Sequence, residues 1–252
     1  MYRYFSKNVL ILFLREKREG QITPKEKDLA FGGFSSIFKS LGMLFGTISF
    51  WVIMFYFSAP SFPGWAIKNW IPTLFSMSLH IDMAQAGPLS TITLATSSFI
   101  GVLAGGILSD RWIQRNIRGR IYTGTIGLSL TIPALLFLGY GTGFWGVISG
   151  AVLFGMGFGM FDSNNMPILC QFVSQRHRAA GYGLMNMAGV FAGASITSVL
   201  GKSTDTGSLG PDLAILAIPV TLAIAFQLVM LKPEFVDKME DHNSLQISKT
   251  KG

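Results

Sequence analysis

Charge is what this sequence has least of. Only 13% of its 252 residues are Asp, Glu, Lys or Arg, about half the share in a soluble domain. That scarcity excludes a disordered chain, which would be polar and charge-rich. The single cysteine, Cys170, cannot pair within the chain, so a disulfide scaffold is excluded too. The three histidines, His80, His177 and His242, fall in loops, with no HExxH and no second metal ligand nearby. No P-loop and no GxSxG occurs, so zinc hydrolysis, ATP-driven pumping and serine hydrolysis have no residues to carry them. No cofactor, no metal and no enzyme activity is expected. Acidic residues are fewer than basic ones, 13 against 20, for a net charge of +7. Nucleic acid is still not the expected partner, because the basic residues sit in short loops between apolar spans.

Apolar residues are abundant, at 50%, and mean hydropathy is +0.46. A membrane helix needs about 20 mostly apolar residues, and six stretches qualify. The first, 41–75, is too long for one straight crossing and is expected to kink or break at Pro60, Pro63 and Gly64. The others are 88–110, 122–140, 144–172, 179–200 and 213–231. Short connections make consecutive helices antiparallel neighbours. The expected fold is an all-α membrane protein, a six-helix transmembrane bundle over 41–231, lying in the lipid bilayer. Residues 1–14 carry the apolar run NVLILFL with no cleavage site behind it and read as the stub of a preceding helix. Residues 15–40 read as a charged linker and 232–252 as a loosely ordered tail.

The loops fix an orientation. Eight Lys/Arg precede residue 41, Arg111, Arg115, Arg118 and Arg120 follow the second span, Arg176 and Arg178 follow the fourth, and four lysines lie in the tail. Eighteen of the twenty therefore fall on one side, leaving Lys68 and Lys202 for the other. The positive-inside rule puts both termini in the cytoplasm, and six spans return the chain to its starting side. A bacterial inner membrane is the expected location.

Glycine pairs at 101/105, 155/159 and 189/193 form three GxxxG patterns inside the spans. Lipid gives no hydrophobic drive between helices, so such pairs matter for close backbone approach. They read as packing faces, or as faces along which helices slide.

Residues 105–120 read GGILSDRWIQRNIRGR. A glycine, then Asp110-Arg111, then a basic cluster at a span end resembles the loop motif of the major facilitator superfamily, although Ile113 stands where that motif has a glycine. Trp70-Ile71-Pro72-Thr73 resembles the seventh-helix segment of its anion:cation symporter and organophosphate-permease members. Arg178-Ala179-Ala180-Gly181 with Gly183 resembles their entry into helix eleven. The resemblance implies that the six spans match helices seven to twelve, the C-terminal half of a carrier. It implies a partner half holding the other wall of a central site. It also implies that Gly106, Asp110, Arg111 and Arg118 form a cytoplasmic gating motif. Asp110 is expected to accept from Arg111, Arg176 or Arg178, or to face the N-terminus of the fifth span, while Arg115 and Arg120 read as topology signals.

A carboxylate in the bilayer costs roughly 2.5–3.5 kcal/mol on insertion scales and is a functional candidate by default. Asp162 lies in the fourth span, one turn from Asn165 and beside Asn164. Asn186 lies in the fifth span at the same depth, each about 6 Å on the cytoplasmic side of the midplane. Asp162 and Asn186 could line one cavity, or the polar groups could only bond neighbouring helices. Asp162 is a candidate for a sugar hydroxyl or a coupled proton. Lys68 and Trp70 lie in the outer part of the first span. Lys68 could attract an anion or snorkel to headgroups, and Trp70 could stack on a sugar or anchor at the interface. Phosphate-ester members carry an arginine about six residues before the matching tryptophan. Gly64 stands there, which counts against sugar phosphates.

The function expected from all this is secondary transport of a small polar organic solute, an organic anion or sugar, with sugar acids and sugars ahead of phosphate esters. It would be coupled to a proton or sodium ion, with the chain as one half of the carrier. The alternative is a truncated, non-transporting membrane remnant or a helix-packing partner.

Overall fold

Seven helices account for nearly all of the described chain: α1 Ile48–Leu79, α2 Met83–Ile113, α3 Gly119–Tyr140, α4 Gly143–Phe172, α5 Arg178–Thr206, α6 Leu209–Ile215 and α7 Ala217–Met230. The computed structural model describes residues 42, 44–46, 48–141, 143–173 and 177–231. The expected helix stub, the linker, Arg176 and the tail lie outside the described residues. The chain separates into two units, Met1–Lys39 and Ser40–Gly252, and every described residue belongs to the second. No strand occurs among the described residues.

Among the described residues, six helical stretches are long and apolar enough to cross a membrane, α6 and α7 together making the sixth, Leu209–Met230. Their number and order are those expected from hydropathy. Two details differ. α1 runs unbroken from Ile48 to Leu79 with Pro60, Pro63 and Pro72 inside it. Neighbouring helices pack along it, so the carbonyls that proline leaves unpaired do not end the helix. Ser61 Oγ donates to the Phe57 carbonyl at 2.9 Å within the same stretch. The last span, expected as one helix from 213, begins at Leu209 and is interrupted at Leu216.

The connections are short and locally specified. Asp82 caps α2 by accepting from the Ala84 N–H at 3.1 Å, satisfying one of the free donors of a first turn. α5 ends at Gly207, whose φ of 76° lies in the left-handed region that favours glycine.

α4 packs between α2 and α3, and α5 packs chiefly on α1. The α2–α4 contact is made by two of the GxxxG pairs facing each other's backbone. A Cβ on Gly101 would collide with the Met156 carbonyl, and one on Gly159 with the Ser98 carbonyl. Only glycine allows that approach, so these two patterns are packing faces. Apolar side chains fill two cores. One, around Ile53, Ile121, Phe161 and Val220, lies toward the end that carries Arg111–Arg120, called the basic end below. The other, around Ile67, Phe75, Leu135 and Leu213, lies toward the opposite end.

Burial is uneven. Of the apolar window of α1, 67% is buried, against 17% for α2 and 33% for α5. α1 is thus the spine of the bundle, while α2 and α5 each present a long open face. On α5 that face carries Asn186, Val190 and Ser198.

Candidate functional site: a polar cavity between three helices

The site begins with periodicity on α1. Phe57, Ser61, Gly64, Trp65 and Lys68 recur at helical spacing and share one face. They meet Phe158 and Asp162 of α4, one turn apart, and Asn186, Gly189 and Val190 of α5. Together these residues enclose a cavity of about 150 Å³, open on one side.

The structure therefore brings Asp162, Asn186 and Lys68 into one cavity. Asp162 Oδ1 accepts from Asn165 Nδ2 at 3.2 Å. Asn165 is itself 4% exposed and stands behind the carboxylate rather than in the cavity. Asn164 turns into the bundle. Its amide donates to the Met160 carbonyl at 2.8 Å and to Ser163 Oγ at 3.3 Å. Asn186 Nδ2 donates to the Tyr182 carbonyl at 2.9 Å, which leaves its amide oxygen for the cavity.

Lys68 is exposed, and its Nζ lies 5.8 Å from the Trp65 ring centre and 5.5 Å from that of Phe158. Two ring faces partner the ammonium without neutralising it. Among the described residues Lys68 forms no ion pair. Trp70 does not line the cavity. It is half-buried against the core at the far end, with its Nε1 buried and without a hydrogen-bond partner among the described residues. The indole at the cavity is Trp65, which sequence reading missed. Its signal was available: Trp65 lies three residues before Lys68 and four after Ser61, on one helix face.

Three oxygen- or nitrogen-bearing groups thus converge on one small space: an ammonium, a carboxylate and a carboxamide, with the Ser61 hydroxyl beside them. That set can pair with a carboxylate at Lys68 and hydrogen-bond hydroxyls elsewhere. No cluster of His, Cys, Asp or Glu suited to a metal ion occurs among the described residues.

The residues expected to form a gating motif lie at the basic end. Asp110 Oδ1 faces Arg120 Nη2 at 4.0 Å. The first turn of α3 lies against the last turn of α2, so Arg120, read as a topology signal, comes within reach of Asp110. Arg178 reaches the end of α4, donating to the carbonyls of Val173 at 3.1 Å and Cys170 at 3.0 Å, where a cation suits the helix C-terminus. Arg111 is exposed, and Arg118 donates its backbone N–H to Asn116 Oδ1 at 2.9 Å. Gln171 Nε2 donates to the Ile117 carbonyl at 3.0 Å and ties α4 to this loop. Gly106 faces open space, whereas its neighbour Gly105 sits against Met160 and Ser163 of α4.

A further buried polar cluster had no sequence signal. Gln227 of α7, 0% exposed, donates to the Ile121 carbonyl at 3.3 Å and to Thr125 Oγ1. The Tyr56 hydroxyl lies beside Gln227 and over Gly124. The Tyr56 ring meets Phe161 edge-on at 5.2 Å, and Phe161 meets Phe158 of the cavity wall at 5.7 Å.

A bundle of helices long and apolar enough to cross a membrane, with a polar cavity opening at its side, is the build of a multi-pass membrane protein. The chain belongs to the Major Facilitator Superfamily, whose family model matches residues 8–197. It is similar to Probable anion transporter 3, chloroplastic, of Oryza sativa subsp. japonica. The two are 27% identical over 153 residues, covering 58% of this chain and 29% of that protein. It is also similar to Probable anion transporter 5 of Arabidopsis thaliana, 26% identical over 153 residues, covering 58% of this chain and 34% of that protein. The chain thus matches only about a third of the length of these relatives.

Proposed function

We propose that this chain forms one wall of the solute path of a secondary carrier, and that the cavity between α1, α4 and α5 binds a polar organic anion. The observation that carries this reading is Lys68, a cation held over two aromatic rings inside a cavity that also contains Asp162 and Asn186. The solute carboxylate pairs with Lys68. The hydroxyls nearest the carboxylate bond to Asn186 and to Asp162, whose orientation Asn165 sets. The names of the two plant relatives agree with an anionic solute. Gly64 on the cavity wall, where phosphate-ester members carry arginine, leaves a single cation and favours a monoanionic sugar acid over a sugar phosphate.

In this reading Asp162 also carries the coupled proton. It is the one carboxylate among the described residues of the cavity lining, and protonation there would change what the solute meets. In this reading the basic end and both termini face the cytoplasm, which the loop charge supports. A second six-helix half would supply the opposite wall, against the open faces of α2 and α5.

The test is uptake of labelled gluconate by the source cells with the gene intact or deleted. Loss of uptake on deletion, with competition by other sugar acids but not by sugar phosphates, supports the reading. Equal competition by sugar phosphates contradicts the substrate class, and unchanged uptake contradicts the transport of this solute.

A further inference from the structure

The groove between α1 and α5 holds a second compartment. It lies one turn of α1 beyond the first, about 6 Å farther from the basic end, and measures about 460 Å³. Its lining includes Trp65, Asn69, Gly193, Thr197 and Ser198. Trp65 and Val190 border both compartments. The indole is seated by the third GxxxG pair: a Cβ on Gly193 would lie 2.5 Å from the Trp65 ring. Asn69 Nδ2 donates to Thr197 Oγ1 at 2.9 Å, bridging α1 and α5 in the lining of this compartment. The Asn69 amide oxygen and the Ser198 hydroxyl have no hydrogen-bond partner among the described residues.

The inner cavity, at about 150 Å³, falls below the roughly 300 Å³ at which small-molecule pockets begin. The part of it enclosed by this chain has room for the charged end of a sugar acid but not for the whole of one. The adjoining compartment supplies the missing volume. Its lining is mostly apolar, an aromatic wall for a carbon chain, with one amide and two hydroxyls set in it for polyol groups.

We propose that this outer compartment is a second subsite, taking the hydroxylated distal part of an organic anion whose carboxylate sits at Lys68, with Trp65 packed against the carbon chain between them. The proposal rests on the reading of the inner cavity as an anion site, and it adds a length and hydroxylation requirement to the solute.

The experiment is calorimetric titration of the purified chain in lipid nanodiscs with two probes, gluconate, a long polyhydroxylated acid, and lactate, a short one. The variants are Thr197→Val combined with Ser198→Ala, Asn69→Ala on its own, and Lys68→Gln. Each outer-compartment variant is expected to weaken gluconate binding by about tenfold, the worth of one or two hydrogen bonds, while lactate binding stays the same. Lys68→Gln is expected to weaken both probes. Equal effects of the outer variants on both probes, or no effect on either, would overturn the second subsite while leaving the inner site standing. Lys68→Gln without effect, or a wild-type chain that binds neither probe, would overturn the inner site and the proposal with it.

Discussion

Asn165 holds Asp162 from one turn away: its amide donates to Oδ1 of the carboxylate at 3.2 Å, from a position that is itself 4% exposed. The bond joins a buried group to one that faces the cavity. It orients the carboxylate without adding a charge, and Oδ2 has no hydrogen-bond partner among the described residues. Asp162→Asn replaces the carboxylate with a neutral amide of similar size, which is cheaper to bury. Thermal stability in detergent should stay near wild type, while uptake falls and its pH dependence flattens. Adding Asn186→Ala should reduce uptake little further, because residues sharing one site couple non-additively. Additive losses would separate the two residues.

The glycine contacts make a paired prediction about packing. Gly159→Ala puts a methyl group against the Ser98 carbonyl, with no flexible side chain to give way. Overpacking of that kind costs about 1–3 kcal/mol. Gly106→Ala meets nothing within 4 Å and exchanges a weak helix former for the best one, a gain of up to about 1 kcal/mol. Thermal unfolding of the two variants in one detergent should therefore shift in opposite directions.

Gln227 supports a prediction about the buried cluster. Gln227→Leu removes the donor to Ile121 and Thr125 and strips the Tyr56 hydroxyl of its neighbour, which should cost about 1–3 kcal/mol. Tyr56→Phe made together with Gln227→Leu should recover part of that loss, because both polar groups then leave the interior together. A double-mutant cycle on unfolding midpoints reads the coupling.

At the basic end, the Asp110–Arg120 contact joins an exposed carboxylate to a half-buried arginine at 4.0 Å and is worth about 0–1 kcal/mol, so Asp110→Asn should barely change membrane abundance. If the loop latches helices during a transport cycle, the same variant should lower uptake. In a chain whose Cys170 has been replaced by alanine, Arg118→Cys should resist impermeant thiol reagents in intact cells and react after permeabilisation. Labelling from outside would reverse the orientation.

Much of this fold was legible before any coordinates. Lengths of apolar run are a direct physical requirement of the bilayer, so the six spans and their order follow from hydropathy alone. The course of α1 through Pro60, Pro63 and Pro72 was not legible, because tertiary packing decides whether a proline interrupts a buried helix. Asp162 and Asn186 could be set level by counting residues from each span's middle, since helical rise converts sequence into depth. Rotation about the helix axis is a different matter. It decides that Trp65 and not Trp70 borders the cavity, that Asn164 turns inward, and that Arg120 meets Asp110. A sequence uniformly apolar around its helices carries too weak a periodicity to fix that angle. Gln227 was invisible for the same reason: one amide in an apolar span names no partner until α1, α3 and α7 are brought together.

The central claim is that Lys68 makes the cavity an anion site, and the most direct measurement is the gluconate affinity of the nanodisc-embedded chain with the charge kept or removed at that position. Lys68→Arg should bind within a few-fold of wild type, while Lys68→Gln should lose about tenfold or more, the range of a charge-assisted hydrogen bond. Equal affinity in wild type and Lys68→Gln would contradict the account.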